Sequence, residues 1–504
     1  MKYETLYHKK PAPCLAFLGT GSEVGKSVLA AAMCRVLANR GISVMPFKAQ
    51  NMSNNSGVTP EGLEMGRAQI VQAEAAKIPP HVDMNPVLLK PAGDTGSQVV
   101  VMGRAMGHKQ ARDYYTEKDA LFRQAADALD RLRTRCDAVI IEGAGSCAEV
   151  NLMDRDFVNL PMAKYAEAPA VLVADIHKGG VFAQITGTLE CAGENFRDII
   201  RGFVINRFRG DPELFSDGLD WLEKKTAKPG FGIIPWFDNI KIEAEDAVSI
   251  EHARAPKNSE IQGPAVAVVR LPRISNFTDF DPLAAADGLS LYFIEQPRDL
   301  SPFCAVILPG TKNTRSDLEW LSKTGWAEAI KKYHESGGHV LGICGGFQML
   351  GKAVEDKDGL EGEPGVSRGL GLLEAHTLLK SPKTTTLARF LWDDTQGTGY
   401  EIHMGQTRIQ GGKPLFRVIE QNGEKCDFTD GCADGRGRVM GTYMHGMFDM
   451  PQILEKWLKH IGAKGVNAPG LQGPAARDRQ YDLLAQHFEQ HADIAALMKL
   501  LELE

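Results

Sequence analysis

The residues most able to do chemistry lie in two separate stretches of this chain. The first reads "GTGSEVGKS" at residues 19–27 and follows the apolar run "CLAFL". The second, "GGHVLGICGGFQMLG", places Cys344 between an apolar run and two glycines. A lysine and a hydroxyl at a glycine-rich turn are typical of phosphate binding, whereas a cysteine at such a turn is typical of nucleophilic catalysis. The sequence therefore predicts two reactive sites.

The first stretch departs by one residue from the strict phosphate-binding pattern, which has its first glycine five positions before the second. Thr20 occupies that position here, and the loop candidates are Thr20, Gly21, Gly25, Lys26 and Ser27. We expect the backbone N–H groups to face an anion at the start of a helix. Lys26 would reach the β- and γ-phosphates of ATP and Ser27 would hold Mg²⁺. The alternative is a glycine-rich turn that binds no nucleotide.

Two carboxylates stand where apolar strands are predicted to end. Glu142 closes the run "VIIEGAGS", and Asp175 lies in "VLVADIHKGG". Ligands of parallel sheets bind beyond the carboxyl ends of the strands. We therefore predict that Glu142 binds Mg²⁺ with Ser27, the alternative being a carboxylate that caps a helix. Asp175 is a candidate substrate contact.

The loop "GTGSEVGKS" resembles that of dethiobiotin synthetase and its relatives, which read G-T-x-x-E-V-G-K-[ST]. This resemblance implies phosphorylation of a carboxylate-type group, which a nitrogen or oxygen then attacks. It also implies that Lys48, in "PFKAQN", binds phosphate and that Asn206, in "VINRF", contacts the adenine base. A surface lysine and a turn-forming asparagine are the respective alternatives.

The resemblance leaves one magnesium ligand open. Dethiobiotin synthetases carry an aspartate in the helix after "TPEG", but Arg67 aligns with it in this chain. Glu64 and Asp94 are the candidates for the third protein ligand.

The second stretch predicts a thiol exposed at a sharp turn between a strand and a helix. The amide of Gly345, with Gly310 from "LPGTKNT", is the candidate donor set for an oxyanion. His445 follows a predicted strand about a hundred residues later and is the candidate base. A buried structural thiol is the alternative for Cys344. His403, in "GYEIHMG", is a further candidate substrate contact.

Together these residues resemble a class I glutamine amidotransferase, which hydrolyses glutamine through a thioester and releases ammonia. The resemblance implies that Gln348 lies near the glutamine substrate. The family's acidic residue two positions after the histidine is replaced here by Met447. Asp449 is the nearby candidate for the third member, and a Cys344–His445 dyad is the alternative.

The elements that must position these residues alternate between short apolar strands and helical segments. This alternation predicts two doubly wound α/β domains. The resemblances of the two loops imply that the N-terminal domain is like P-loop NTPases and the C-terminal domain like class I glutamine amidotransferases. We expect an ATP-dependent carboxylate-activating domain at residues 1–250, a linker at 251–263, a glutaminase domain at 264–455 and a helical tail at 456–504.

Composition narrows the class of protein further. The 504 residues carry a net charge of −7 and are 43% hydrophobic, which is typical of a globular protein. We expect no nucleic-acid partner, because no basic block occurs, and no membrane span, because no apolar run approaches about 18 residues. Nine scattered cysteines favour reduced thiols in a cytoplasm.

Longer strings resemble the cobyric acid synthase family, in order and over residues 13–449. They are "FKAQNMSNNSGVTPEGLEMGRAQIVQAEAA", "NPVLLKP", "INRFRGD", "LPRISNFTDFDPL", "LPGTKNT" and "GYEIHMG". The resemblance implies cobalamin biosynthesis, with amidation of the b, d, e and g carboxylates of adenosylcobyrinic acid a,c-diamide. Glutamine would be the nitrogen donor, and one ATP with Mg²⁺ would be used per amide. No tightly bound prosthetic group is expected, and oligomeric state is not readable.

Two rival functions remain. One is cobyrinic acid a,c-diamide synthase, which shares the two-domain logic and would consume a different corrinoid. The other is a P-loop switch ATPase with a non-catalytic C-terminal binding domain. The presence of both Cys344 and His445 disfavours the switch, because a domain that only binds could lose either residue.

Overall fold

A computed structural model describes residues 10–91, 96–110, 118–237, 239–243, 256–468 and 473–503. Asp94 and residues 251–255 of the expected linker lie outside these ranges. Among the helices of the described ranges, none has both the length and the apolar character needed to cross a lipid bilayer.

Short strands and connecting helices build the N-terminal half. The strands are β1 (Cys14–Gly19), β2 (Val44–Phe47), β3 (Gln50–Met52), β4 (Ser56–Val58), β5 (Glu64–Gly66), β6 (Val87–Pro91), β7 (Gly96–Val101), β8 (Arg104–Gln110), β9 (Ala138–Glu142), β10 (Ala170–Asp175), β11 (Ile200–Phe208) and β12 (Gly230–Pro235). The helices are α1 (Lys26–Asn39), α2 (Arg67–Ala75), α3 (Lys118–Arg133), α4 (Leu160–Tyr165), α5 (Val181–Ala192), α6 (Glu194–Arg197) and α7 (Ser216–Thr226).

Six of these strands form a parallel sheet in the order β12-β11-β10-β1-β9-β2. Strands β1, β9 and β10 are buried along their whole length, which explains why they read as continuous apolar runs. A hydrophobic cluster covers each face of the sheet. A second sheet, β3-β6-β7-β8, and the hairpin β4-β5 follow β2 along the chain.

The C-terminal half joins parallel strands to long antiparallel ones. Its strands are β13 (Ala265–Val269), β14 (Ser290–Ile294), β15 (Ala305–Leu308), β16 (His339–Ile343), β17 (Ala353–Asp356), β18 (Gly365–Arg368), β19 (Ala375–Trp392), β20 (Thr395–Ile409), β21 (Lys413–Gln421), β22 (Glu424–Ala433) and β23 (Val439–Thr442). The helices are α8 (Asp281–Ala284), α9 (Thr314–Thr324), α10 (Trp326–Glu335), α11 (Gly345–Leu350), α12 (Pro451–His460), α13 (Gly473–His491) and α14 (Ile494–Leu500).

Strands β14, β13, β15, β16 and β23 are parallel neighbours, and β22, β21 and β19 extend the same sheet with antiparallel pairing. The predicted pair of α/β domains is confirmed. Short 3₁₀ helices complete the chain at Val82–Met84, Met153–Arg155, Pro212–Phe215, Asn258–Glu260, Phe277–Phe280 and Met447–Asp449.

The final helices return to the N-terminal half. Helix α12 packs into the C-terminal core through residues such as Trp457, whereas α13 and α14 contribute apolar side chains to the core around α1. Arg35 of α1 is buried, pairs with Asp478 and lies over the ring of Tyr481. The tail expected from residue 456 is thus divided between two hydrophobic cores.

Candidate functional sites

The carboxyl ends of five adjacent parallel strands place the N-terminal candidates along one sheet edge. In sheet order β11-β10-β1-β9-β2, these strands lead to Asn206, Asp175, the phosphate loop, Glu142 and Lys48. Topology alone therefore brings together residues that are far apart in sequence, as expected for an open parallel sheet.

The phosphate loop is held by its own lysine and by close packing. Lys26 Nζ donates hydrogen bonds to the carbonyl oxygens of Gly21 at 3.0 Å and Gly145 at 2.8 Å. Gly25 has φ 96°, a conformation that favours glycine. The Thr20 hydroxyl donates to Gln184 Oε1 at 3.3 Å. The ammonium group of Lys26 thus lies inside the loop, where an anion bound by the loop would meet it.

Asn206 contacts the loop itself. Its Nδ2 donates to the Val24 carbonyl oxygen at 2.8 Å, and a Cβ added at Gly25 would lie 2.2 Å from the same nitrogen. Asn206 therefore supports the loop, and its predicted contact with adenine remains a prediction.

Glu142 is fully buried and gathers four side chains around its carboxylate. Its Oε1 accepts hydrogen bonds from Ser27 Oγ at 2.7 Å and Lys48 Nζ at 2.9 Å. Its Oε2 accepts from Gln72 Nε2 at 2.5 Å and Gln69 Nε2 at 3.3 Å. The structure thus brings Ser27, Lys48 and Glu142 together. The two glutamines were missed, although their spacing of three on α2 puts both on one helix face.

These oxygen donors fit a magnesium ion. Mg²⁺ prefers hard oxygen ligands and usually takes only one or two from protein, with the rest from phosphates and water. Ser27 Oγ and Glu142 Oε1 supply two such atoms side by side. No cluster of three or more His, Cys, Asp or Glu side chains suited to a metal occurs within the described ranges.

The structure does not bring Glu64 to this site. Its carboxylate accepts from Lys90 and Lys383 at 2.8 Å each, and both lysines line a cavity beside Cys344. The ion pairs of Glu64 therefore hold its carboxylate away from Ser27. The prediction that Glu64 is a candidate magnesium ligand is wrong. Arg67, where the resemblance led us to expect an acid, pairs with Glu243.

Both carboxylate oxygens of Asp175 accept hydrogen bonds from neighbouring residues. Oδ1 accepts from the His177 amide at 2.7 Å and Oδ2 from Arg207 Nη1 at 3.0 Å, and the side chain is buried. A substrate group could contact this carboxylate only by sharing or displacing one of these bonds.

Four neighbouring strand ends build the second site. Strands β13, β15, β16 and β23 lie side by side and lead to Asp279, Gly310, Cys344 and His445, respectively. Because all four strands are parallel, these residues meet at one edge of the sheet.

Cys344 lies on a strained turn between β16 and α11. Its backbone has φ 51° and ψ −107°, which is unusual for a residue with a side chain. A Cβ at Gly346 would lie 1.9 Å from the Leu308 carbonyl oxygen, so only glycine lets the helix approach β15 this closely. The Cys344 thiol donates to the carbonyl oxygen of Ile402 at 3.7 Å. This is the backbone geometry expected of a nucleophile at a tight turn. The thiol expected to be exposed is instead buried and lines a cavity.

His445 is oriented by Asp279. Its Nδ1 lies 2.6 Å from Asp279 Oδ2, and the Gly446 amide donates to Asp279 Oδ1 at 2.9 Å. Backbone hydrogen bonds in both directions with Tyr400 hold His445 from the other side, at 2.8 and 3.0 Å. The side chains of His445 and Asp279 are almost completely buried. The third member of the site is therefore Asp279.

The electrostatics of this group favour a protonated histidine. Burial alone lowers the pKa of His445, but the charge and hydrogen bond of Asp279 and the interaction with Cys344 outweigh it and raise the pKa to about 10. His445 is thus an imidazolium near neutral pH, able to stabilise a Cys344 thiolate and to give a proton to a leaving nitrogen.

Asp449 does not contact His445. Its Oδ2 accepts from Arg477 Nη1 at 2.8 Å, in an ion cluster that joins α13 to the rest of the molecule. The candidate third member taken from sequence spacing is thereby corrected to Asp279. The string "LPRISNFTDFDPL" contains Asp279, so the signal was present without an assigned role.

Gln348 is fixed within the same site. Its Oε1 accepts from Thr314 Oγ1 at 2.7 Å and its Nε2 donates to Tyr443 Oη at 3.3 Å. Gly310 and Gly345 both pack closely against neighbouring side chains. A Cβ added at Gly310 would lie 3.0 Å from His445 Cε1, and one added at Gly345 would lie 2.6 Å from Thr311 Cγ2. Their predicted role as oxyanion donors remains a prediction.

His403 lies beside Cys344 as a neutral imidazole. Burial is the main reason that its pKa falls to about 3, and the nearby cations His445 and Lys383 lower it further. Nδ1 lies 2.8 Å from the Gly405 carbonyl oxygen, which can only accept, so Nδ1 carries the proton. The ring stacks on Tyr443 with centroids 3.7 Å apart.

A cavity of about 50 Å³ opens onto these residues. Its walls include Cys344, Gln348, His403 and His445 from the C-terminal half, and Lys90 and Gln98 from the N-terminal half. Both halves of the chain therefore contribute residues to the pocket beside the Cys344 thiol.

Comparisons with known proteins agree with this division of the chain. A family model described as "CobQ/CobB/MinD/ParA nucleotide binding domain" matches residues 15–250, and one described as "CobB/CobQ-like glutamine amidotransferase domain" matches residues 265–453. The first contains the phosphate loop and Glu142, and the second contains Asp279, Cys344 and His445.

Curated relatives match along nearly the whole chain. A cobyric acid synthase of Chlorobium phaeobacteroides (strain BS1) is 49% identical over 491 residues, covering 97% of this chain and 99% of that protein. Those of Chlorobaculum tepidum and Vibrio parahaemolyticus are 46% and 42% identical, covering 96% and 97% of this chain and 97% and 100% of those proteins. With a nucleotide-binding domain and a glutamine amidotransferase domain in one chain, and with this similarity over its length, the protein belongs to the cobyric acid synthase family.

Proposed function

We propose that this chain converts adenosylcobyrinic acid a,c-diamide to its hexa-amide by amidating the b, d, e and g carboxylates in four successive reactions. Each reaction would consume one ATP and one glutamine. The observation that supports the proposal is that one chain of this family places Cys344 and His445 on one cavity, with Asp279 hydrogen-bonded to His445, and places a phosphate loop beside Glu142.

The triad would supply ammonia. The Cys344 thiolate attacks the carboxamide carbon of glutamine, and the electron pair of the broken C–N bond takes a proton from His445 as ammonia leaves. The resulting thioester is hydrolysed by a water molecule whose hydroxyl adds to the acyl carbon and whose proton returns to His445, which releases glutamate and restores the Cys344 thiolate beside the His445 imidazolium. Asp279 holds the imidazole in the orientation that both proton transfers need.

The phosphate loop would activate the acceptor. The γ-phosphate of ATP passes to a carboxylate oxygen of the corrinoid, which gives an acyl phosphate and ADP. Ammonia then attacks the acyl carbon, and phosphate leaves. Lys26 and Lys48 would contact the phosphates, while Ser27 and Glu142 would hold Mg²⁺. When bound, Mg²⁺ neutralises phosphate charge as it is transferred.

Joining the two reactions has a chemical reason. Acyl phosphates hydrolyse readily and ammonia is mostly protonated in neutral water, so both benefit from a site that excludes solvent. The region between β4 and β7 connects the two sites, because α2 contacts Glu142 through Gln72 while Lys90 reaches the cavity at Cys344. This continuity supports the use of one site's product by the other.

The direct test is to incubate the protein with ATP, Mg²⁺, glutamine and adenosylcobyrinic acid a,c-diamide, following phosphate and corrinoid mass together. We expect phosphate release in step with mass losses of about one unit for every amide, ending after the fourth.

Two outcomes would contradict the proposal. Consumption of cobyrinic acid in place of its diamide would identify a cobyrinic acid a,c-diamide synthase. Phosphate release that ignores the corrinoid, with no change of mass, would identify a switch ATPase.

A further inference from the structure

Three lysines surround the cavity beside Cys344. Lys90 comes from β6 of the N-terminal half, Lys383 from β19 and Lys312 from the loop that follows β15. The side chains of Lys90 and Lys383 are only 4% and 10% exposed. Buried ammonium groups are costly unless negative charge balances them, so their presence in this wall needs an explanation.

The carboxylate that contacts Lys90 and Lys383 cannot neutralise both of their positive charges. Glu64 accepts from Lys90 and from Lys383, each at 2.8 Å, so one carboxylate serves two ammonium groups. Ser56 Oγ accepts the other hydrogen bond of Lys90 at 2.6 Å. Since an ammonium has three N–H donors, these two bonds leave one donor of Lys90 for a ligand.

The pKa values of the lysines also indicate an excess of positive charge in the cavity. Burial, followed by the charges of Lys383 and Lys90, lowers the pKa of Lys312 to about 7 despite the opposing effect of Glu361. Burial also lowers the pKa of Lys90 to about 8, while the charges of Glu64 and Cys344 act in the opposite direction. The lysines therefore repel one another, and Lys90 is close enough to Cys344 to respond to its charge. An anion bound between them would relieve the repulsion.

We infer that Lys90 and Lys383 bind the α-carboxylate of glutamine, so that the N-terminal half completes the pocket of the glutaminase site. The inference rests on the proposed function, in which glutamine is the substrate of Cys344. Glutamine carries one carboxylate, at the end opposite its reacting carboxamide, which matches the single excess positive charge of the Glu64 cluster.

Gln98 supplies a second observation at the same wall. It is 1% exposed and lines the cavity, and its Oε1 has no hydrogen-bond partner among the residues that the structure describes. A buried carbonyl oxygen without a donor is costly unless a ligand satisfies it. The α-ammonium of glutamine, adjacent to the carboxylate held by Lys90, is the donor that the substrate offers.

The competing explanation is purely structural, since Lys383 and Glu64 also join the two halves of the chain. The two explanations differ in what happens when the carboxylate is removed from the substrate. A binding subsite discriminates glutamine from 4-aminobutanamide, which is glutamine without its α-carboxylate, whereas a structural ion pair does not.

The test compares Lys90→Met and Lys383→Met with the wild type and with Lys352→Met, whose lysine pairs with Glu374 at the surface. We expect KM for glutamine to rise about 100-fold in both cavity variants, because a charge-assisted contact is lost, while kcat changes by less than about threefold. The kcat/KM for 4-aminobutanamide should stay at the wild-type value. Amidation driven by ammonium chloride, which bypasses the pocket, reports whether each variant is folded.

Unchanged KM for glutamine in both variants, or equal losses for glutamine and 4-aminobutanamide, would overturn the inference. Having two variants keeps the test decisive if one of them fails to fold. Failure of the glutaminase reaction on which the inference rests is distinguishable, because the wild type itself would then hydrolyse no glutamine.

Discussion

Asp279 accepts a 2.6 Å hydrogen bond from His445, although the two residues lie 166 positions apart in the chain. The contact forms because β13 and β23 belong to the same parallel stretch of the sheet, with β15 and β16 between them. Asp279 also accepts from the Gly446 amide, so it fixes both the histidine ring and the loop that carries it. Cys344, His445 and Asp279 therefore have the arrangement expected of a triad, with Asp279 as the orienting acid.

Replacing Asp279 by asparagine should disable the glutaminase reaction and spare the synthetase. The amide cannot hold His445 in the same tautomer or stabilise its charge, so we expect kcat for glutamine hydrolysis to fall by about 1,000-fold. Amidation with ammonium chloride should persist. Asp449→Asn is the matched control, because Asp449 bonds to Arg477, and it should retain glutamine hydrolysis within about fivefold. The reverse ranking of the two variants would contradict the triad.

The pH dependence of glutamine hydrolysis follows from the raised pKa of His445. A pKa of about 10 means that the imidazolium is present below that pH and is lost as pH rises through it. We expect kcat to hold to about pH 9 and then decline. In Asp279→Asn the main cause that raises the pKa is gone, so the alkaline decline should move to lower pH. An alkaline limb at the same pH in both proteins would show that His445 does not control it.

Glu142→Gln should disable the ATP-dependent reaction and spare glutamine hydrolysis. Neutralising this carboxylate removes the partner of Ser27 and Lys48 and a candidate magnesium ligand, so we expect phosphate release to fall by about 100-fold or more. Glutamine hydrolysis without acceptor should remain. Glu190→Gln, at an exposed position on α5, is the matched control for phosphate release. A Glu142→Gln protein with normal phosphate release would exclude Glu142 from the ATP site.

Arg477 joins three parts of the molecule through partly buried carboxylates. It pairs with Glu74 of α2 at 2.9 Å and with Asp449 at 2.8 Å. Arg477→Gln leaves these partly buried carboxylates without their cation, which should lower the free energy of unfolding by about 2 kcal/mol, between the values for buried and for exposed pairs. Arg417→Gln removes a surface pair with Asp427 and should change stability little. Urea unfolding of both variants measures the difference, and equal midpoints would show that the ion cluster around Arg477 contributes nothing.

Local sequence predicted the parts of each site that depend on neighbouring residues. The phosphate loop, the turn at Cys344 and the position of Glu142 at a strand end all follow from glycine placement and apolar runs within about ten residues. Parallel pairing then implied that distant strand ends would meet, which grouped Ser27 with Glu142, and the resemblance to dethiobiotin synthetases added Lys48.

Contacts made across the whole fold were missed. Asp279 does not stand at the position where the resemblance led us to expect an acid, and only the order of β13, β15, β16 and β23 brings it to His445. Glu64 was a candidate third magnesium ligand because Arg67 stands where the resemblance led us to expect an aspartate. Its side chain instead meets Lys383, 319 positions away, because the two halves of the chain pack together. No local pattern encodes such pairings.

Ammonia made at Cys344 is proposed to be used at the ATP site of the same chain. Cys344→Ser tests this proposal most directly, with amidation of adenosylcobyrinic acid a,c-diamide measured using glutamine or ammonium chloride as the nitrogen source. We predict that the wild type forms amides from either source, whereas the variant forms them only from ammonium chloride. Amide formation from glutamine by the variant, or its failure with both sources while folded, would contradict the account.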